Sequence, residues 1–333
     1  MAARSRSADR RESRHKNIKH TLRIALAVVG LAIVAGCAKK PEQEAAAAGF
    51  NTPEEAVTAL VAAMEKYDVG QLKTLLGPSA EQLLQSGDAV QDAGDRAGFL
   101  ARYAAKNALV DDGADRKILV VGEQDWPMPI PIVKRDGKWA FDGEAGIDEL
   151  IYRRVGANEL GAIDVCRGFV SAQLEYASEG RDGDPPGIYA LKLISDEGLH
   201  NGLYWPTADD EPASPAGPFV AAAASEGYRR AADGERRPYH GYYYRLLYAQ
   251  GSNANGGARD YFKNGLMTEG FALIAWPADY GSSGVMTFIV NRDGVVFQKD
   301  LGEETATIVE SIQSFDPDSS WTAIAPPAEE PAT

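Results

Sequence analysis

The spacing of apolar and polar residues changes character more than once along this chain. Val57, Leu60, Val61 and Met64 recur at intervals of three and four, which predicts a helix with one apolar face. Its start is written in Thr52-Pro53-Glu54-Glu55: threonine can cap the amide of Glu55, proline suits the first helical position, and Glu55 can reach back. Asp68-Val69-Gly70 breaks that helix, and Leu72, Leu75 and Leu76 predict a short second one. Phe99, Leu100 and Tyr103 mark another. The pattern then shortens. "KILVVG" at 117–122 reads as a buried strand, and "PIPIVKRDGKWAFD" at 129–142 as a hairpin turning at Arg135-Asp136-Gly137, because an Asp-Gly pair supplies the positive φ of a tight turn. Residues 50–155 therefore read as an α+β domain, helices first and a curled antiparallel sheet after.

From Asn158 the helical period returns. Leu160, Ile163, Cys166, Val170, Leu174 and Ala177 predict one apolar stripe on a long helix. Four strand candidates follow, "HGYYYRLL" from 240, "GFALIAW" from 270, "VMTFIV" from 285 and "VVFQKDL" from 295, the last two flanking a turn at Asn291-Arg292-Asp293-Gly294. Ile308, Val309, Ile312 and Phe315 make a short amphipathic helix. Residues 156–322 thus read as a second α+β domain, a long helix on a four-stranded antiparallel sheet, with a loose tail at 323–333. Each large side chain buried there contributes about 1.5–3 kcal/mol before entropy is subtracted.

The first 36 residues follow a different logic. Eight Lys and Arg precede an apolar run from Ile24 to Gly36, shorter than the roughly 20 residues a membrane span requires and of the length of a signal-peptide core. Val34-Ala35-Gly36-Cys37 resembles the lipobox of bacterial lipoproteins, which implies signal cleavage and a lipid on Cys37. Ala38 after the cysteine implies sorting to the outer membrane of a Gram-negative cell, with the body facing the periplasm. "AKKPEQEAAAAG", Ala38 to Gly49, is a small-residue tether. Removing residues 1–36 takes away eight of 34 Lys and Arg and two of 48 Asp and Glu, moving the formal charge from −14 to −20. So acidic a surface repels nucleic acid, and the expected partners are the membrane, through the anchor, and an envelope protein or cell-wall component. Once Cys37 is acylated, Cys166 is left without a disulfide partner.

Several blocks carry a family resemblance. "CRGFVSAQLEYA" at 166–177, "GLYWP" at 202–206, "SPAGP" at 214–218, "HGYYYRLL" at 240–247 and "GFALIAWPADYGSSGVMTFIVNRDGVVFQKDLG" at 270–302 are similar to the bacterial exported proteins of domain-of-unknown-function family 2950. The chain departs from that pattern at His200-Asn201 and at Tyr228, Arg229 and Arg230. More distantly, the first half resembles NTF2-like or cystatin-like domains, and the second resembles the heads of type IV pilins and pseudopilins. The pilin resemblance implies a sheet packed on the helix stripe.

Candidate chemistry is sparse. Gly281-Ser282-Ser283-Gly284 holds two serines but not the Gly-x-Ser-x-Gly order of a hydrolase elbow, and the two histidines after Cys37 are His200 and His240. A serine hydrolase would use Ser282 or Ser283 with His240; the plainer reading is a connection between strands. "EGRDGDPPG" offers Glu179, Asp182 and Asp184 to calcium, or else an acidic solvated turn, and no other cofactor is expected. Trp205 and Trp276, with Asp279 and Tyr280, are candidate platforms for a sugar or peptide, or packing residues at strand ends. Cys166, on an apolar stripe, reads as a small hydrophobe with a raised pKa. The reading favoured is a non-catalytic, lipid-anchored binding or assembly module of the cell envelope, with serine hydrolase and calcium-dependent adhesion as alternatives.

Overall fold

Thr52 caps the first helix as its place before Pro53 predicts: its Oγ accepts the Glu55 amide at 3.2 Å, while the Glu55 carboxylate reaches back to the amide of Asn51 at 2.8 Å. In the computed structural model the described residues are 49–77, 80–208, 210–228 and 237–325, and all belong to one compact unit that begins at Glu44. Cys37, the signal segment and most of the tether lie outside them. Among the described residues no helix is long and apolar enough to cross a membrane.

Four helices come first: α1 (Pro53–Lys66), α2 (Val69–Leu76), α3 (Ala80–Leu84) and α4 (Ala89–Ala105). They precede β1 (Asn107–Asp111), β2 (Arg116–Val121), β3 (Trp126–Pro127), β4 (Ile132–Arg135) and β5 (Lys138–Phe141). These strands form an antiparallel sheet in the order β1-β2-β4-β5, with β3 also on β2. The β4–β5 hairpin turns where expected, with Asp136 at φ 52° and Gly137 at φ 76°. Leu60, Leu72, Leu75, Leu119, Ile130 and Ile132 form the centre of this core.

The long helix is longer than its apolar stripe. α5 (Ile147–Ser178) runs for 32 residues, so the boundary drawn at 155 falls inside one continuous helix. Ile147, Ile151 and Val155 belong to the first core, and Ala162, Ile163, Cys166, Phe169 and Tyr176 to a second. The expected stripe needs correcting: Ile163, Cys166 and Val170 are buried, but Leu160 is 66% exposed and Leu174 45%. At about 100° per residue these two lie roughly 120° and 80° around the helix from Cys166, at or past the edge of the covered face. The covered face instead takes in Phe169, Gln173 and Tyr176. Gln173 is buried because its amide bridges the backbone N and O of Ala190, both at 2.9 Å.

After α5 come β6 (Lys192–Ile194), β7 (Gly202–Tyr204), α6 (Gly217–Ser225), β8 (Tyr242–Leu247), β9 (Ala249–Gln250), β10 (Arg259–Asp260), β11 (Phe262–Lys263) and β12 (Leu266–Met267). The remainder is β13 (Ala272–Pro277), β14 (Met286–Asn291), β15 (Val296–Asp300), α7 (Thr305–Ser311) and β16 (Thr322–Ala323). The four expected strands are present, joined at one edge by β16, in the antiparallel order β16-β15-β14-β13-β8. All six residues of β13 are buried, as a continuous apolar run demands when both faces of a strand are covered. The chain is α+β throughout.

Candidate ligand cavity

α4 is amphipathic and 17 residues long, yet not one of its residues is buried. The reason is what lies beneath it. Gln91, Asp92, Asp95, Arg96, Phe99 and Arg102, spaced at threes and fours, face a cavity of about 300 Å³ rather than a packed core. Leu60 and Met64 of α1, Leu72 and Leu76 of α2, and Leu83 and Leu84 of α3 supply apolar walls. Trp126, Met128, Arg153 and Arg154 close it.

Arg154 organises the charges. It is buried on α5, and its guanidinium donates to the carbonyl of Gln82 at 2.9 Å and to that of Leu83. Those are C-terminal carbonyls of α3, which such a cation caps. Burial depresses its pKa, while Asp92, Asp95 and Asp279 oppose that shift. Both oxygens of Asp92 accept the Ser86 amide, at 3.3 and 3.1 Å, and burial raises its pKa against those bonds and Arg154. Asp95 differs. Its surface is accessible because it borders the open cavity, but the protein around it raises its pKa, with Arg154 and Arg102 pulling the other way. No hydrogen bond or ion pair to the Asp95 side chain is found among the described residues. Two other cations at the wall sit on aromatic rings, Arg96 at 4.1 Å from the Tyr67 centroid and Arg153 at 5.2 Å from that of Trp126, with Arg153 also pairing with Glu149.

Behind this wall a buried polar joint ties the two cores. Asp88 caps α4 by accepting from Val90 and Gln91, and also accepts the Tyr228 hydroxyl at 2.8 Å and the Gly241 amide at 3.0 Å. Asn158 bonds Gln91 and the carbonyl of Ser283. Gly241 has φ 71°, and a Cβ there would lie 2.4 Å from Asn158 Nδ2, so both backbone and space require glycine.

The serines of the Gly-Ser-Ser-Gly loop belong to this joint. Ser283 is fully buried; its hydroxyl donates to the Asp279 carbonyl and accepts the Asp279 amide. Ser282 donates to Gln82 O at 3.3 Å, beside Arg154. His240 turns its Nε2 to Glu226, at 2.6 Å, and no hydrogen bond among the described residues links it to either serine. Trp276 is buried against Tyr243, Tyr280 bonds Asp300, and Asp279 lies within the field of Arg154. Trp205 stacks elsewhere, its ring 4.6 Å from that of His200 and 5.2 Å from the Arg181 guanidinium. Asp182 engages His200 Nδ1 at 3.1 Å, Glu179 pairs with Arg181, and Asp184 bonds the Arg181 carbonyl through its amide. Among the described residues no three His, Cys, Asp or Glu are grouped to hold a metal ion. Burial pushes the Cys166 thiol up to about 12.

The residues that matter at the cavity, Asp92, Asp95 and Arg154, were not singled out by motif. The signal was there in the Asp92, Asp95, Arg96, Phe99, Arg102 spacing, which puts charge on the inward face of a helix. No solved structure matches the chain, so the NTF2-like and pilin-head resemblances gain no support from known folds, and no curated protein matches it either. The family described as protein of unknown function DUF2950 matches residues 47–324, which is most of the chain, and the protein belongs to that family.

Proposed function

We propose that this protein is a non-catalytic binding module of the cell envelope, held at the outer membrane by lipid on Cys37, and that the cavity under α4 holds a small apolar molecule bearing one neutral hydroxyl. The observation that carries the ligand reading is Asp95: a carboxyl with a raised pKa and no hydrogen bond or ion pair among the described residues, at the wall of a cavity that sets leucines, methionines and aromatic rings beside a few charged side chains. An anionic head group would meet Asp92 and Asp95, and a cationic one Arg154 and Arg102. A hydroxyl can donate to Asp95 and accept from a guanidinium. 2-Naphthol, fluorescent and of this chemistry, is the probe. It binds the wild-type protein saturably, and Asp95→Ala weakens it about tenfold, the equivalent of one lost hydrogen bond to a charged group. Equal affinity in the two proteins overturns the reading.

The anchor is tested separately. Palmitate labelling should mark the wild-type chain and not Cys37→Ala. The denatured mature protein should then show one reactive thiol, that of Cys166; two thiols and no label would remove the anchor.

A further inference from the structure

A second cavity, of about 610 Å³, opens between α5, α6, β7 and β8, and its chemistry is unlike the first. Among the described residues lining it, Arg237 carries the only charge. Two of its tyrosine hydroxyls are committed to the protein: Tyr228 donates to Asp88, and Tyr244 to the Tyr239 carbonyl at 3.4 Å. Apart from Tyr204 and Tyr239, the rest of the described wall is apolar, from Phe169 and Ala172 on α5 to Leu203 on β7 and Leu273 on β13. A sugar or peptide, with many polar groups, would find few hydrogen-bond partners here among the described residues, and each group buried without one costs several kcal/mol.

α6 points the same way. Its sequence, GPFVAAAAS, carries no polar side chain before its last residue, yet none of its residues is buried. Phe219, 40% exposed, seats its ring against Gly168, where a Cβ would come within 2.0 Å of it. Small residues on both helices thus leave a space with an apolar roof, and Ile194 and Phe219 carry apolar surface out to its mouth. A surface of this kind is built to be covered by something without polar groups.

We propose that this cavity takes a single acyl chain of a membrane phospholipid. The inference of the lipid source rests on the anchored reading above. Eleven residues, 38–48, lie between Cys37 and Gly49, a reach of at most roughly 40 Å from covalent geometry, so a protein anchored at Cys37 stays tied to a bilayer that supplies such chains. Each methylene moved from water into the cavity contributes about 0.8 kcal/mol.

The mature protein is titrated with cis-parinaric acid, a single-chain fluorescent probe, and is mixed with phosphatidylglycerol vesicles bearing one pyrene-labelled acyl chain. One equivalent of each label binds the wild type. Ala223→Trp and Val220→Trp, at partly buried positions of α6 whose new rings fill the space, weaken both at least tenfold, with unchanged circular dichroism. Asp95→Asn, in the other cavity, leaves both unchanged. Failure of the wild type to bind, or filled variants that are folded and bind normally, overturns the proposal. Binding of the free acid but not of the phospholipid chain overturns its lipid source. Palmitate labelling of Cys37 reads the anchor independently: an acylated protein that binds neither probe defeats this inference alone, and an unacylated protein that binds both defeats the anchor alone.

Discussion

One helix walls both cavities, and they differ because its two halves differ. The N-terminal half of α5 gives the smaller cavity Arg153 and Arg154; the C-terminal half gives the larger one Val165, Gly168, Phe169 and Ala172. In the first, charge near the wall has to be answered by charge: Arg154 faces Asp92, Asp95 and Asp279 and takes two backbone carbonyls. In the second there is almost nothing to answer. Selectivity in the first should therefore come from one polar contact, and in the second from volume and apolar area alone.

The sharpest way to break this contrast is to remove its central charge. Arg154→Met keeps most of the side-chain length but takes this cation away from Asp92, Asp95 and Asp279 and removes the guanidinium bonds to the Gln82 and Leu83 carbonyls. Losing two hydrogen bonds from a buried charged group costs about 3–6 kcal/mol, so urea denaturation should show a loss of that size. A loss below about 1 kcal/mol would mean the guanidinium only fills space. No single change in the apolar lining at an α6 position should approach that cost, because none of those residues is buried.

Asp88→Ala tests whether the cavities are independent. The carboxylate takes two amides of α4, the Gly241 amide, and the hydroxyl of Tyr228, which lines the apolar cavity. Loss of a helix cap together with buried donors left unpaired costs about 3 kcal/mol. More tellingly, it should weaken both 2-naphthol and cis-parinaric acid, since it releases the end of α4 and Tyr228 together. Tyr228→Phe removes the hydroxyl that donates to Asp88 and accepts the His240 amide, costs about 1–2 kcal/mol, and should affect only the acyl probe. If Asp88→Ala changes one ligand and spares the other, the joint does not couple the two sites.

Much of this contrast was invisible to pattern, for physical reasons. The caps and hairpins were legible because they are local: Thr52 and Glu55 are three residues apart, and Asp136-Gly137 must adopt positive φ wherever the hairpin goes. The strands at 242–300 were legible because their apolar runs are short and bounded by turns. The start of α5 was not, because Asp148, Glu149, Arg153 and Arg154 mask a sparse i, i+4 series of Ile147, Ile151 and Val155. The serines at 282 and 283 drew attention as chemistry, but their hydroxyls serve backbone groups, a role fixed by residues such as Gln82 some 200 positions away. Asp95 was half legible: the spacing puts it on one face with Asp92, Phe99 and Arg102, but nothing in that spacing says the face looks onto a hole.

The smallest expected effect is also the most specific to the charged cavity. The ionised Asp95 carboxyl is disfavoured by its surroundings and by Asp92 and Asp88, and favoured by Arg154 and Arg102, with the net shift upward. The folded protein therefore holds that proton at pH values where the unfolded chain has released it. Stability from this group is fully present below the unfolded aspartate value, near 3.9, and is lost as pH rises through the higher folded value. Asp95→Asn removes that dependence, so the variant should melt a few degrees above the wild type at pH 7, with the difference shrinking as pH falls toward 4. A filled apolar cavity, as in Ala223→Trp, should show whatever offset it has equally at both pH values, because no carboxylate lines that space among the described residues. An Asn variant that melts lower than the wild type at pH 7 would show that Asp95 is held by a favourable partner, and the smaller cavity would then lose the unmet group that distinguishes it from the larger one.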